Sequence, residues 1–328
     1  MLRLEDLEHP PEGFLKDLPE GGAFYESLRG TEIEGCHFGY FAVYRDDRLA
    51  TVAPYFVMDF HLNTLLPNGA LKTALSWIKF RLGCIGNPTT DYGQIEGEVS
   101  EETLTCIQRA LSNKARLLAF KGFPEGLPLP AFVCAKSLPV PVVSLDSNYF
   151  SSLKSDRRNL LKRKLKKAAP LRYEEHDGVP AHLLERVYAL YLKTWQKADI
   201  KFERLTPDYF AHTAHISKYL LFFEGDTLIG FTQLIGRNGV LVNRYVGLDY
   251  ERSDAYGLYF AMFVRTIEYA VRERYREAEL GATSYEFKRI LGARQVPTWN
   301  YFRHTNPLVH RVLTLLKGMF EPSASELR

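Results

Sequence analysis

Two stretches of the chain carry residue types that could handle an anionic or activated group. Between Lys154 and Lys167 stand eight basic residues and a single acid, Asp156. Leu153, Leu160, Leu161 and Leu165 fall at i, i+7, i+8 and i+12, so the run predicts an amphipathic helix with a basic outer face. Such a face is either solvated or binds a polyanion, nucleic acid or an anionic membrane surface, through sequence-independent electrostatics. The second stretch is Arg252-Ser253-Asp254-Ala255-Tyr256-Gly257-Leu258, between a strand pattern and a helix pattern. Backbone N–H groups at a helix N-terminus suit phosphate oxygens, with the helix dipole behind them. Read as an ordinary loop capped by Ser253 or Asp254, the same segment needs no ligand.

Other chemistries find little support. Cys36, Cys84, Cys106 and Cys134 are widely spaced, with no CxxC pair and no His/Cys cluster at metal-ligand spacing, so buried reduced thiols and no metal are expected. No Ser/His/Asp or Cys/His arrangement stands out, and His304 and His310 are read as surface or structural.

The elements that must position these stretches follow from pattern. At 328 residues and 46% apolar, the chain can bury a large core, and its length predicts two domains. No apolar run reaches the roughly 18 residues a membrane span needs, and Met1–Pro10 is acidic and polar, which predicts an unprocessed cytoplasmic protein. Residues 1–140 hold 13 basic and 18 acidic side chains, net −5; the rest hold 29 and 21, net +8, a balance that suits an anionic ligand in the second half.

A hairpin occurs once in each half: 38–44 with 48–56, and 220–224 with 228–235 around Gly225 and Asp226. The pair predicts a distant internal duplication. In the second half, helices over 149–168 and 181–197 precede the hairpin. A strand over 240–248, a helix over 257–274, a strand over 277–281, a helix over 284–291 and a last strand over 298–304 complete it. Phe260, Val264, Ile267 and Val271 define the packed face of the 257–274 helix. Prolines 124, 128, 130, 139 and 141 mark a crossover, with the boundary near residue 140.

That element order resembles the GNAT acetyltransferase fold. Arg252 to Gly257 resembles its pyrophosphate loop, Gln/Arg-x-x-Gly-x-Gly/Ala, departing at the first glycine, here Ala255. Tyr285-Glu286-Phe287-Lys288-Arg289-Ile290-Leu291-Gly292 resembles the Tyr-x-Phe-Lys-x-x-Phe-Gly segment of the Fem-type peptidoglycan aminoacyltransferases and of related tandem-GNAT acyltransferases from cellulose and biotin contexts. Ser155-Asp156-Arg157-Arg158-Asn159-Leu160 resembles their Lys-Thr-Arg-Tyr-Asn-Ile segment.

The resemblance implies a mixed α/β protein of two GNAT-like domains in tandem, 1–140 degenerate and 141–328 catalytic. It implies an N-acyltransferase moving an acyl or aminoacyl group to an amine, in a cell-envelope or peptidoglycan setting. Acyl-CoA or aminoacyl-tRNA would be the co-substrate, with no permanently bound cofactor, and a small-molecule or muropeptide-like amine the acceptor. The Lys154–Lys167 helix would meet tRNA or an anionic membrane. Arg252–Leu258 would bind the donor, Arg157 an anionic acceptor, and Lys288 would stand at the reaction centre, its ammonium stabilising the carbonyl oxyanion. An amine acceptor needs a general base, for which Glu203, Asp249 and Tyr285 are candidates. Two other readings remain open: a plain acyl-CoA acetyltransferase of a small amine, and a silent adaptor whose GNAT halves are scaffold for RNA or membrane binding.

Overall fold

The computed structural model describes residues 1–13, 20–28, 31, 33, 35–61, 79–198, 203–324 and 326–327. The strands of its first part are β1 (Leu2–Leu7), β2 (Cys36–Arg45), β3 (Arg48–His61), β4 (Lys79–Ile85), β5 (Glu96–Gly97), β6 (Leu117–Phe123) and β7 (Val133–Lys136). Then come β8 (Val140–Ser144), β9 (Arg172–Asp177), β10 (Ser217–Glu224), β11 (Thr227–Arg237), β12 (Val240–Leu248), β13 (Glu277–Glu279), β14 (Arg294–Val296) and β15 (Trp299–His304).

Both expected hairpins form, β2–β3 and β10–β11. The β2–β3 turn is Asp46-Asp47, both residues left-handed, a conformation that short polar side chains tolerate better than branched ones. The first sheet runs β1-β2-β3-β4-β6-β15-β7 with β5 beside β3, and the second β9-β10-β11-β12-β13-β8-β14. The two orders correspond place for place, including one parallel pair in each, β4–β6 and β12–β13.

One expectation is corrected here. The last strand, β15, does not complete the second half: it lies between β6 and β7 of the first sheet, while β8 inserts between β13 and β14 of the second. The second half thus lends its last strand to the first sheet, which depends on chain from both halves, while the second sheet is built from residues 140–296. The expected 149–168 helix is also broken, since Leu153 and Lys154 are extended and Arg158 Nη1 donates to the carbonyls of Ser151 and Leu153. The strands β1 and β9 were not expected; both are edge strands whose mixed polar sequences bury little.

The helices that matter are α1 (Gly21–Ser27), α2 (Glu101–Ser112), α3 (Ser155–Ala168), α4 (Leu184–Lys197), α5 (Pro207–His212), α6 (Leu258–Arg272), α7 (Tyr285–Ile290) and α8 (Pro307–Leu315). Leu104, Ile107 and Leu111 of α2 pack on the outer face of the first sheet with Phe41, Val43 and Phe120. Met262, Val264 and Ile267 of α6, with Leu161 of α3, cover one face of the second sheet; the expected Phe260 and Val271 are only partly buried there. A third core joins the halves, where Phe24 and Tyr25 of α1 and Tyr40 and Val52 of the first sheet meet Leu190, Tyr191, Phe210, Tyr219 and Phe231. Each such fully buried side chain contributes roughly 1.5–3 kcal/mol, so the two sheets are held as one body by apolar contact as well as by the β15 crossing.

Candidate functional site

The site begins where a sheet comes apart. β12 and β13 pair only from Val240–Val242 against Glu277–Glu279. β12 then continues to Leu248 bonded to β11, leaving a splay on its other side. Within that stretch Gln233 faces Tyr245 while Leu234 faces Asn243, so Arg244 is the extra residue of a bulge. A bulge re-aims side chains: Tyr245 packs in the core between the halves, and the Arg244 guanidinium also lies there, 5.6 Å from the Phe24 ring centroid.

Past β12 the chain makes a helical turn over Tyr250–Ser253, a 3-10 turn over Asp254–Tyr256, and enters α6 through Gly257. Gly257 is left-handed at φ 58°, and α6 has neither a side-chain cap nor an acidic residue in its first turn. The Gly257 and Phe260 N–H groups bond the Asp254 and Gly257 carbonyls, at 3.1 Å each, which leaves those of Leu258 and Tyr259 with neither a side-chain cap nor an acid in the first turn. Ala255 is not among the left-handed residues, so the missing glycine there removes no backbone freedom that this turn uses.

The other donor-loop residues have structural duties. Arg252 pairs with Glu224 at 3.0 Å, the Tyr256 hydroxyl donates to the same carboxylate at 2.7 Å, and the buried Ser253 N–H bonds the Asp249 carbonyl at 2.8 Å. Leu258 is fully buried. Lys167 Nζ donates to the Asp254 carbonyl at 3.3 Å and Lys164 Nζ stands 3.8 Å from the Phe260 ring centroid. The basic helix α3 thus brings two lysines against the loop and leaves Lys162, Arg163 and Lys166 exposed.

Lys288 is near this opening but not free. Its ammonium, on α7, is 2% exposed by residue and donates to the carbonyls of Gly281 at 2.7 Å, Ala282 at 3.2 Å and Thr283 at 2.8 Å. All three donors are taken, so the expected oxyanion contact is replaced by a brace on the segment that follows β13. That segment is strained, with Thr283 and Ser284 both left-handed at φ 76° and 50°, at about 1–3 kcal/mol each. Burial lowers the Lys288 pKa to about 7, opposed by the charge of Asp91. The carbonyl oxygens around it favour the charged form.

The three candidate bases are committed elsewhere. The fully buried Tyr285 donates to the Pro139 carbonyl at 2.9 Å, and burial pushes its pKa up to about 12. Burial alone would raise the Asp249 carboxyl, but ion pairs with Lys193 and Arg186, both at 3.0 Å, hold it below the usual range. Glu203 accepts from the Tyr245 hydroxyl at 3.0 Å; burial raises its pKa, with Lys121 opposing. Of the three, only Glu203 lies in the region between the halves. Arg157 is exposed on the first turn of α3.

Comparison with known proteins now bears on this geometry. Residues 155–289 match the acetyltransferase (GNAT) domain family, a span running from α3 through the Lys288 segment. The C-terminal domain of a protein assigned as a lysylphosphatidylglycerol synthetase, from Agrobacterium fabrum, superposes with a TM-score of 0.56 at 13% identity, covering 90% of each chain. FemX superposes at 0.56 and 11% identity over 94% of this chain and all of that one. A tandem GNAT protein from the clavulanic acid biosynthesis pathway gives 0.54 and 11% over 94% and 99%. The chain has a tandem GNAT fold. A Mycobacterium tuberculosis protein assigned the name 8-amino-7-oxononanoate synthase 2 is 33% identical over 146 residues, 42% of this chain and 18% of that one. The chain therefore spans less than a fifth of the curated relative it matches.

Between the two GNAT halves lies a polar cluster that the sequence reading missed. Arg244, its side chain 3% exposed, pairs with Glu20 at 3.3 Å; Gln94 Nε2 donates to Glu20 at 3.4 Å. Burial raises the Glu20 carboxyl, opposed by Arg244. The Asn87–Thr90 segment is held by Lys121, whose Nζ donates to the carbonyls of Asn87, Pro88 and Thr90 at 3.4, 3.2 and 2.8 Å. The one sequence signal was Asn243-Arg244 inside the otherwise apolar run 240–248. Two open concavities, of about 320 Å³ beside Arg81 and Lys114 and about 290 Å³ beside Lys218 and Tyr275, lie elsewhere. Neither borders the splay, and neither gathers the polar groups described here.

Among the described residues no helix is long and apolar enough to cross a membrane, and the four cysteines are free.

Proposed function

We propose that this chain transfers an acyl or aminoacyl group from an activated donor to an amine, with the donor in the splay of the second half and the acceptor between the halves. The observation that carries the reading is the coincidence of an open parallel pair, β12–β13, with an uncapped N-terminus at Gly257. The GNAT match over 155–289 supports an acyltransferase, and it contains both features. The splay would admit the acyl arm while the α6 N–H groups and the dipole meet donor phosphates. Lys288 acts as a positioning residue, fixing the strained 281–284 segment that forms one lip of the opening.

Acyl-CoA is the donor the GNAT match favours. The exposed lysines and arginine of α3 favour a longer polyanion, aminoacyl-tRNA, as the second reading, in line with the resemblance to Fem-type enzymes. Transfer from acetyl-CoA and from charged tRNA to a primary amine, each measured with purified chain, tests both. Product from one donor class supports the reading. Lack of transfer together with lack of binding of either donor overturns it in favour of a scaffold.

A further inference from the structure

On the side of the splay turned to the first half stands a carboxylate that no described side chain answers. Glu279 ends β13 at the last rung shared with β12, opposite Val242. Its neighbour Ala278 enters the core under α6, so alternation sends Glu279 to the other face, toward the first half. The residue is 7% exposed, and among the described residues none hydrogen-bonds or ion-pairs with its carboxyl. The charges of Glu20 and Asp91 in the first half, of Arg244 on β12 and of Glu277 on its own strand all act on it, and its own charge acts on Tyr92. The Arg244 guanidinium is already paired with Glu20. Two further buried groups nearby lack partners: Gln94 Oε1, on the amide that donates to Glu20, and Asn243 Nδ2, on the first β12 residue past the pairing.

We propose that Glu279 is the proton acceptor of an ammonium-binding site, into which Glu20 and Asp91 draw a primary amine as its cation. This rests on the acyl-transfer reading above and names the acceptor class for the same site. The cation R–NH3⁺ gives one proton to the Glu279 carboxylate and becomes R–NH2. The nitrogen lone pair then attacks the acyl carbonyl carbon, forming the C–N bond. Collapse of the tetrahedral adduct breaks the bond to the donor sulfur or oxygen, and a second nitrogen proton leaves with that atom. Glu279 returns its proton to solvent as the amide departs.

Burial, with Glu20 and Asp91 adding to it, pushes the Glu279 carboxyl up to about 8, a basicity matched to an ammonium near neutral pH. A carboxylate raised this way weakens the fold. Its contribution to stability is complete below the unfolded carboxyl pKa and is lost as pH climbs through about 8. A partnerless charge retained at such a cost is expected at a working site.

The test uses wild type, Glu279→Gln and Glu279→Asp with whichever donor wild type consumes, a short alkyl diamine as acceptor and the matching diol as control. The expected result is transfer to the diamine at a rate at least about 100-fold above the diol. Glu279→Gln should fall about 100-fold or more, with loss of the rising limb of kcat/KM near pH 8, while Glu279→Asp retains part of the rate. Donor affinity should not change. Equal use of the diol, or Glu279→Gln with wild-type rate and pH profile, overturns this inference while leaving acyl transfer standing; a wild type that binds and consumes no donor overturns acyl transfer itself.

A second readout needs no acceptor. Glu279→Gln should raise the melting temperature, by roughly 3 °C or more at pH 9 than at pH 6. A gain equal at both pH values, or a loss, contradicts a buried unpaired carboxylate and defeats the inference.

Discussion

The parallel pairs β4–β6 and β12–β13 hold the same place in their sheets and end differently. In the first, pairing runs from Leu82–Leu117 to Ile85–Phe120, the last residue of β4, and the strands stay together. In the second, pairing stops after three rungs while β12 runs six residues further. The helices that follow differ in the same sense. Ser100 and Thr103 form a reciprocal capping box at α2, which satisfies the N–H groups of both, and Glu101 and Glu102 in its first turn repel an anion. At α6 the corresponding place holds a left-handed glycine, no cap and no acid. One GNAT half is closed at both features that would admit a donor, and the other is open at both. On the proposed reading, the donor site would belong to one copy of the fold alone.

The halves still share a device. Lys121 holds the 87–90 segment through three carbonyls, and Lys288 holds 281–283 the same way. Replacing each lysine by Met tests whether the shared brace serves different ends, and these should be the largest effects. Each variant should lose about 2–4 kcal/mol of stability, because carbonyls are left without donors. Lys288→Met should also cut transfer about 100-fold or more through displacement of the lip, whereas Lys121→Met should raise the acceptor KM and spare donor binding. Denaturant titration and steady-state kinetics read both.

The helix N-termini come next. Gly257→Val forces a branched side chain into the left-handed region and should weaken donor binding about 10-fold or more. Ser100→Ala, at the capped helix, should cost about 1 kcal/mol of stability and leave donor affinity unchanged. Should the two variants affect donor binding alike, the contrast between the halves has no functional meaning.

Smaller effects sharpen the same contrast. Lys164→Gln with Lys167→Gln should weaken donor binding several-fold and flatten its dependence on salt, read by titration across ionic strength. Ala255→Gly should change affinity by less than about twofold, because that residue sits in a right-handed turn. A marked tightening would mean that the turn opens to bind.

Much of this architecture was legible in the sequence, for reasons that particular residues make plain. The β10–β12 meander reads directly because its strands are nearly continuous apolar runs broken by Gly225-Asp226 and Asn238-Gly239. The position of β15 was not legible, since the sheet that a last strand joins is decided by long-range contacts that leave no local pattern. Lys288 was found through the resemblance of its segment, but its duty depends on three backbone carbonyls that no spacing reveals. Glu20, Arg244 and Glu279 lie hundreds of residues apart or on separate strands, and only the packing of the halves brings them together. An arginine in an apolar strand was the one available hint.

The division of labour between the halves is tested most directly by amide hydrogen exchange with and without a bound donor, acetyl-CoA or charged tRNA. Protection is expected over residues 257–262 and 243–248, where N–H groups would meet donor oxygens, with no change over 100–106 at the capped helix. Donor binding that protects 100–106, or that leaves 257–262 unchanged, would contradict the assignment of the donor to the open half.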